Sequence, residues 1–290
     1  MGVGDSNNVI KEKTMSLRIQ NNVEAMTAHR NLSNTSAKIA TSMERLSSGF
    51  RINRASDDAA GLAISERMRG QIGGLGQAQR NIQDGVSLVQ TAEGNLDEVH
   101  SMLQRVRELA VQYKNGSLDS TAQTAIQNEV NQLASEISRI GNAAQFNGIS
   151  LLNGASTVSF QVGANDGQQI AVSLVDLSAK VGTSYSSLTT SGTTDISEID
   201  AAIANVSSAR AAFGSVQNRL EHSLAVSASY QENLTSAESR IRDVDMADEM
   251  VALTKNQILS QAGTAMLSQA GTAMLAQANQ APQSVLRLLQ

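Results

Sequence analysis

The chain has 290 residues and a formal net charge of −5, with 17% charged residues, 2% aromatic residues, one Pro and no Trp. Cys is absent, which excludes a disulfide framework, a thiolate metal site and a Cys nucleophile. The modest acidity carries no nucleic-acid footprint, the scarcity of aromatics argues against an enzyme's pockets, and no run of about 18 apolar residues exists to span a membrane.

Met1–Thr14 is polar and without period, and reads as a disordered extension lacking the apolar stretch of a cleaved secretion signal. From Leu17 to Leu46 apolar residues recur at helical steps, and Leu32, Ile39 and Leu46 are one heptad apart. Ser47-Ser48-Gly49 ends that helix, with Gly49 as its C′ residue. The next stretch, FRINRASDDAAG, sets Arg51 and Arg54 opposite Asp57 and Asp58, and Ser56 or Asp57 is placed to cap the following helix. Two readings stand: a capped, solvated loop, or an ordered linker whose charges dock neighbouring subunits.

Leu62–Ile72 is helical, and Gly70, Gly73, Gly74 and Gly76 interrupt or bend the chain after it. These glycines are not a phosphate loop, because no strand precedes them and no Gly-Lys-Ser/Thr follows. Asn81–Tyr113 is the longest periodic stretch. Its seam is Ile82, Val86, Val89, Glu93, Leu96, Val99, Leu103, Val106 and Ala110, spaced 4-3-4-3 with Glu93 as the polar exception. At 1.5 Å per residue this helix is roughly 45–50 Å long, and one narrow apolar stripe on such a rod needs a partner helix. A second stripe, Glu98, Met102, Arg105, Leu109 and Gln112, lies about 80–100° round the helix and suggests a second contact surface.

Lys114–Ser117 is a turn, and Ser120–Ile140 folds back as an antiparallel helix. The period then switches to two: Val158, Phe160 and Val162, a Gly163–Gly167 turn, then Ile170, Val172 and Leu174 give a β-hairpin within 157–175. Residues 182–197, rich in Ser, Thr and Gly, form an exposed loop. Ile199–Arg242 is the return helix, with one stripe at Ile203, Val206, Phe213, Val216 and Leu220 and a 4-3-4-3 run at Tyr230, Leu234, Ala237, Ile241 and Val244. From Asn256 to Val285 the chain is uncharged and repeats LSQAGTAM in tandem, at Leu259–Met266 and Leu267–Met274. Eight residues advance a helix by about 12 Å and turn it by about 80°. Pro282 is expected to end or kink this last helix.

No catalytic constellation emerges. His29, His100 and His222 have no zinc-site spacing, and acidic pairs such as Asp97/Glu98 are neighbours on one helix. No metal or cofactor motif is present, and an enzyme is not expected. The expected fold is mainly α: a long antiparallel helical bundle or coiled-coil rod with a small β-hairpin region, its terminal helices paired as a coiled coil. Outer helix faces rich in Gln, Asn, Ser and Ala suit lateral packing in a polymer better than solitary exposure.

Several stretches resemble bacterial flagellin of the short type, lacking outer variable domains: SLRIQNNVEAMTAHRNL at 16–32, SMERLSSGFRINRASDDAAGLAISERM at 42–68, NIQDGVSLVQTAEGNLDE at 81–98, LQRVRELAVQ at 103–112, NEVNQLASEISRIGNAAQFNGISLLNG at 128–154, RLEHSL at 219–224 and QAGTAMLAQANQAPQSVLRLL at 269–289. The resemblance covers nearly all of Met15–Gln290. It implies an inner core of residues 15–47 and 246–290, a spoke linker at 48–61 with Arg51, Asn53, Arg54, Asp57 and Asp58 at intersubunit contacts, and an α-helical rod at 62–245. It implies a structural subunit of the flagellar filament for swimming motility, exported through the flagellar type III channel to the extracellular flagellum. Its implied partners are further copies of itself, the flagellar cap protein, the hook–filament junction protein and a C-terminal export chaperone. Toll-like receptor 5 is a further implied partner, through positions matching Gln104, Arg105, Arg107, Leu109 and Glu129. A hook–filament junction protein or a flagellin-like adhesin is the alternative. Two departures from the family pattern are Met1–Thr14, which precede the usual start at Met15, and the LSQAGTAM duplication.

Overall fold

A computed structural model describes residues 23–182, 186–189 and 195–288. The expected extension at Met1–Thr14, the start of the first helix before Val23 and much of the loop at 182–197 lie outside the described residues. Six helices and four short strands are described: α1 Val23–Ser48, α2 Ala59–Tyr113, α3 Ser120–Ala143, β1 Gln145–Phe146, β2 Ile149–Ser150, β3 Thr157–Gln161, β4 Gln169–Ser173, α4 Leu177–Val181, α5 Asp195–Arg242 and α6 Met246–Leu288. They fall into two compact units, Met1–Leu62 with Ile241–Gln290, and Ala63–Arg240.

The second unit holds most of the buried core, and its centre is α2. Of the expected seam, Ile82, Val89, Leu96, Val99, Leu103, Val106 and Ala110 are completely buried. Leu88, Ala92 and Leu109 are buried as well, because α2 is covered by α3, α5 and the β3–β4 hairpin together. The apolar face is therefore wider than a two-helix seam. α5 returns antiparallel to α2, with Arg210 bonded to Glu93 and Gln79 to Gln231, and buries Ile199, Val206, Phe213 and Leu220. α3 starts from an Asp119 cap, whose carboxylate accepts from Ala122 N–H at 2.8 Å. It buries Ile126, Val130 and Ile137.

Two expectations about this unit fail. The glycines at 70–76 do not interrupt α2, which runs unbroken through all of them. The helical cost of a glycine is only about 1 kcal/mol, and packing outweighs it. Gly74 is also needed where it stands: a Cβ there would lie 3.0 Å from the Ala164 Cβ in the turn of the β3–β4 hairpin. Gly85 likewise admits the Phe160 ring, which a Cβ would meet at 3.2 Å. The hairpin itself forms as expected, antiparallel, with Phe160 opposite Ile170 and Val158 opposite Val172. The second failure concerns Tyr230. It heads a periodic run but is 62% exposed, beside Val226 at 64%. Both line an open groove of about 570 Å³ with Leu75, Val162 and Leu234.

In the first unit α1 and α6 run antiparallel, with Arg45 near Glu249 and Leu32 near Gly263. Among the described residues they are the one pair of long helices whose Cα atoms come extensively within 8 Å of each other. α1 ends as expected at Gly49, φ 76, whose N–H donates to Arg45 O at 2.8 Å. α6 does not end at Pro282 but continues to Leu288.

Candidate assembly and recognition surfaces

The connection from Gly49 to Asp58 is an ordered structure with nearly every charge engaged. Arg51 N–H donates to Arg242 O at 2.6 Å, and its guanidinium Nη2 donates to Ile241 O at 2.7 Å. It thus satisfies carbonyls at the C-terminus of α5 that have no acceptor role left within the helix. Phe50 lies under the Arg242 guanidinium, 4.8 Å from ring centroid to Cζ, and bridges Asp243. Arg54 grips Glu44 of α1 with both Nε and Nη2, at 3.0 and 3.1 Å, and Asn53 Nδ2 donates to Ser48 Oγ.

The expected facing of Arg51 and Arg54 on Asp57 and Asp58 is therefore corrected: neither aspartate is an ion-pair partner of either arginine. Asp57 turns inward on its own loop and accepts the N–H groups of Arg54 and Asn53 at 2.9 and 3.1 Å. The Arg54 N–H, then the Asn53 N–H, hold its carboxyl below the usual aspartate range. The helix cap is also displaced by one residue from expectation. Asp58, not Ser56 or Asp57, caps α2, accepting Gly61 N–H at 2.9 Å.

Of the five expected recognition residues, four lie on α2 and Glu129 on α3, and not all of them reach the surface. Arg105 points toward α3 and donates from Nε and Nη2 to Glu129 at 3.0 and 2.9 Å, with Glu108 at 3.2 Å from Nη1. Arg107 points toward α5 and donates to Asp200 at 2.6 Å. The hydrogen bond that Arg105 donates to Glu129 chiefly raises its pKa, and the one that Arg107 donates to Asp200 chiefly raises the Arg107 pKa. Gln104 lies between them on the outer face, bonded to His100 at 2.9 Å, and Val111 stands 52% exposed further along. Leu109 is the exception. At 2% exposure it belongs to the unit's core, because the stripe that carries it turns beneath Arg105 toward α3. The outer strip of α2 is thus polar, with one exposed Val, and fenced on each side by an anchored arginine.

The terminal pair has the opposite construction. Less exposed positions recur in 3-4 steps on both helices, at Leu32, Thr35, Ile39, Ser42 and Leu46 of α1 and at Glu249, Leu253, Asn256, Ser260, Gly263 and Leu267 of α6. Of these, only Ser42 and Leu253 are fully buried. Large apolar side chains point outward instead: Met250 is 50% exposed, Val251 69%, Ile258 60%, Leu259 51% and Met266 71%. The narrow seam mixes Leu and Ile with small and polar residues, and further large apolar side chains stand on the broad outer face.

The tandem repeat makes the same point. A Cβ on Gly263 of the first copy would lie 3.7 Å from Leu32 Cδ1 of α1, whereas one on Gly271, its counterpart, would meet nothing within 4 Å. Leu259 is exposed and its counterpart Leu267 half-buried. Equivalent residues of the two copies therefore face different ways, as an eight-residue shift requires.

No group of His, Cys, Asp and Glu suited to a metal ion is found among the described residues, and no described helix is long and apolar enough to cross a membrane. A helical chain with a finished core in one unit and outward apolar faces in the other defines a structural protein that completes itself by association.

The comparisons specify the kind. Residues 19–157 match the bacterial flagellin N-terminal helical region, and residues 196–289 match the C-terminal helical region. The chain is 52% identical over 282 residues to a flagellin of Halalkalibacterium halodurans, covering 94% of this chain and 99% of that one. It is 47% identical over 312 residues to a flagellin of Bacillus subtilis, covering 94% and 100%. Among solved structures, a putative flagellar hook-associated protein from Vibrio parahaemolyticus is similar with a TM-score of 0.56 over 64% of this chain and 100% of that chain. At 16% identity that likeness shows the fold alone. The chain belongs to the bacterial flagellin family. It is a structural subunit of the extracellular flagellar filament, and not an enzyme.

Proposed function

We propose that this flagellin is exported unfolded through the flagellar type III channel, with an export chaperone on its C-terminal segment. It then joins the filament beneath a cap protein and beyond the hook–filament junction protein, and the filament drives swimming. One observation carries this reading. The α1–α6 pair leaves Met250, Val251, Ile258, Leu259 and Met266 exposed on its outer face, around a narrow seam of which only Ser42 and Leu253 are buried. A pair held by so little internal burial gains most of its stability from neighbouring copies, so folding is coupled to docking and postponed until export is complete.

In this reading residues 15–47 and 246–290 form the inner core, 48–61 the spoke and 62–245 the rod. The spoke residues Arg51, Asn53, Arg54, Asp57 and Asp58 act in assembly by holding the connection in one shape, since most of their hydrogen-bonding capacity is spent within the chain. Seeded polymerisation followed by electron microscopy tests the proposal: smooth, thin filaments without surface projections are expected. Failure in the full chain and in variants lacking Met1–Thr14 or one LSQAGTAM copy would overturn it.

A second reading concerns the outer strip of α2. Gln104, Arg105, Arg107 and Glu129 form a recognition surface for Toll-like receptor 5 in the monomer, with Leu109 supporting Arg105 from below. The anchored arginines favour this reading, because side chains already held in place lose less freedom on binding. In the filament a neighbouring subunit covers the strip. Arg105→Ala is expected to weaken receptor signalling by monomers and to perturb assembly. If both remain unaltered, the assignment is wrong.

A further inference from the structure

The second unit contains three Asn-Gly pairs, Asn115-Gly116, Asn147-Gly148 and Asn153-Gly154. A glycine after asparagine leaves the side-chain amide open to attack by the next backbone nitrogen, because no Cβ crowds that nitrogen and the backbone turns freely. As dipeptides the three are equivalent. The fold makes them different.

Asn147 and Gly148, at φ 47 and 80, are the two central residues of the β1–β2 turn. Pairing of Phe146 with Ile149 fixes the backbone on both sides of them, and opposes the rotation that ring closure demands. Asn153 is restrained at the side chain. Its Nδ2 donates to Asn142 Oδ1 at 3.0 Å, which tethers the amine that has to leave, and the preceding Leu151 and Leu152 are anchored in the core.

Asn115 is held in the opposite sense. It lies in the connection between α2 and α3, exposed, with its Oδ1 accepting Ser117 N–H at 3.3 Å. This turn folds the side-chain carbonyl across the intervening peptide and brings Cγ toward the Gly116 nitrogen. The Ser117 N–H also polarises the carbonyl and is placed to meet the negative charge that develops on its oxygen. Nothing stands within 4 Å of the position where a Cβ would be at Gly116, nor at Gly148 or Gly154, so space does not separate the three pairs and the restraint on each asparagine does.

We propose that Asn115 is a site of spontaneous deamidation and isoaspartate formation, promoted by the fold over the two other Asn-Gly pairs. The Gly116 nitrogen gives its proton to hydroxide and bonds to Asn115 Cγ. The Cγ–Nδ2 bond breaks as Nδ2 takes a proton from water, which returns the hydroxide, and ammonia leaves a cyclic succinimide. Water opens the ring at either carbonyl, to aspartate or to isoaspartate. The net change is consumption of water and release of ammonia, with no oxidant or cofactor. The product carries a new carboxylate beside Lys114, which reaches Asp195 at 3.7 Å. In the isoaspartyl form the backbone of the α2–α3 connection is also one methylene longer.

The test is incubation of the full chain in mildly alkaline buffer, folded and in denaturant, followed by digestion and mass spectrometry. Deamidation appears as a gain of about 1 Da, and enzymatic methylation of isoaspartyl residues gives a second readout. In the folded chain conversion is expected at Asn115 first, on the order of tenfold ahead of Asn147 and Asn153, and in denaturant the three should converge. Gly116→Ala is expected to slow conversion at Asn115 on the order of tenfold and to leave the other two unchanged. Equal rates in the folded chain, or a lead by Asn147 or Asn153, would overturn the proposal. So would a folded chain in which Asn115 converts more slowly than in denaturant.

Discussion

The two units use similar helices in contrary ways. In the unit around α2, Leu, Ile, Val and Phe side chains terminate on one another and are completely buried. In the α1–α6 pair the helices come closer, yet Ser, Thr, Asn and Gly share the contact with a few Leu and Ile, and several bulky residues face away. Close approach and stability are therefore separate properties. Small residues permit the first, and buried apolar area supplies the second. One unit is furnished to fold by itself, and the other is furnished to be finished by its neighbours.

The sharpest way to break this contrast is to remove Phe213, which is 1% exposed in the core of the second unit. Phe213→Ala should cost about 3–5 kcal/mol, read as a fall in Tm or in the denaturant midpoint of the monomer. If the monomer is unmoved, the core is not where its stability resides. The complementary change is Ile258→Ser on the outward face of α6. It should leave the monomer's unfolding unchanged while raising the critical concentration for polymerisation by about 2 kcal/mol, roughly thirtyfold. A drop in monomer Tm with normal assembly would reverse the roles assigned to the two units.

A smaller effect sharpens the internal account of the second unit. Glu93 is the one charged position in the α2 seam, and Arg210 spans it and Asp97 at 2.7 and 2.8 Å. Burial is partial, so Arg210→Ala should cost only about 1 kcal/mol in chemical denaturation. Glu93→Leu should recover most of that loss, provided the pair serves alignment of α2 with α5 more than stability.

The smallest expected effect concerns acid. The Asp57 carboxyl titrates below the ordinary aspartate range because the Arg54 and Asn53 N–H groups bind its charged form. Its contribution to the linker is therefore complete at neutral pH and is lost only as pH falls through that depressed value. The amide resonances of Asn53 and Arg54 should titrate there. Titration at the unperturbed aspartate value would contradict the hydrogen bonds.

Legibility in the sequence followed the same division. A strict 4-3 repeat of large apolar residues exposed the α2 seam, and strict alternation exposed the β3–β4 hairpin. Leu88 and Ala92 escaped because a single-stripe template assumes a single partner, and Leu109 was read into a second contact stripe when it belongs to the core. The β1–β2 pair escaped because two-residue strands have no period to detect. The glycines of α2 looked like breaks because their cost is local, whereas the contacts they permit at Ala164 and Phe160 lie far along the chain. In the linker, the charge pattern showed that Arg54 needs a carboxylate but not that Glu44, one helix earlier, supplies it. The α1–α6 seam was only half legible: Leu32, Ile39 and Leu46 showed as a heptad on α1, whereas Asn256, Ser260 and Gly263 on α6 look the same as a solvated face.

The octad repeat of α6 has a consequence best put as a reading frame. A helix read by its partner in steps of three and four can accept an insertion of seven or eleven residues and still present the same side to that partner, at most gently over- or underwound. An insertion of eight is out of frame. It carries every later position about 80° round and about 12 Å along, so the same letters are read on a different face. The change in surroundings from Gly263 to Gly271 is that frameshift seen in space. By this arithmetic a one-residue deletion within the second copy would restore the register of everything downstream more completely than any substitution could.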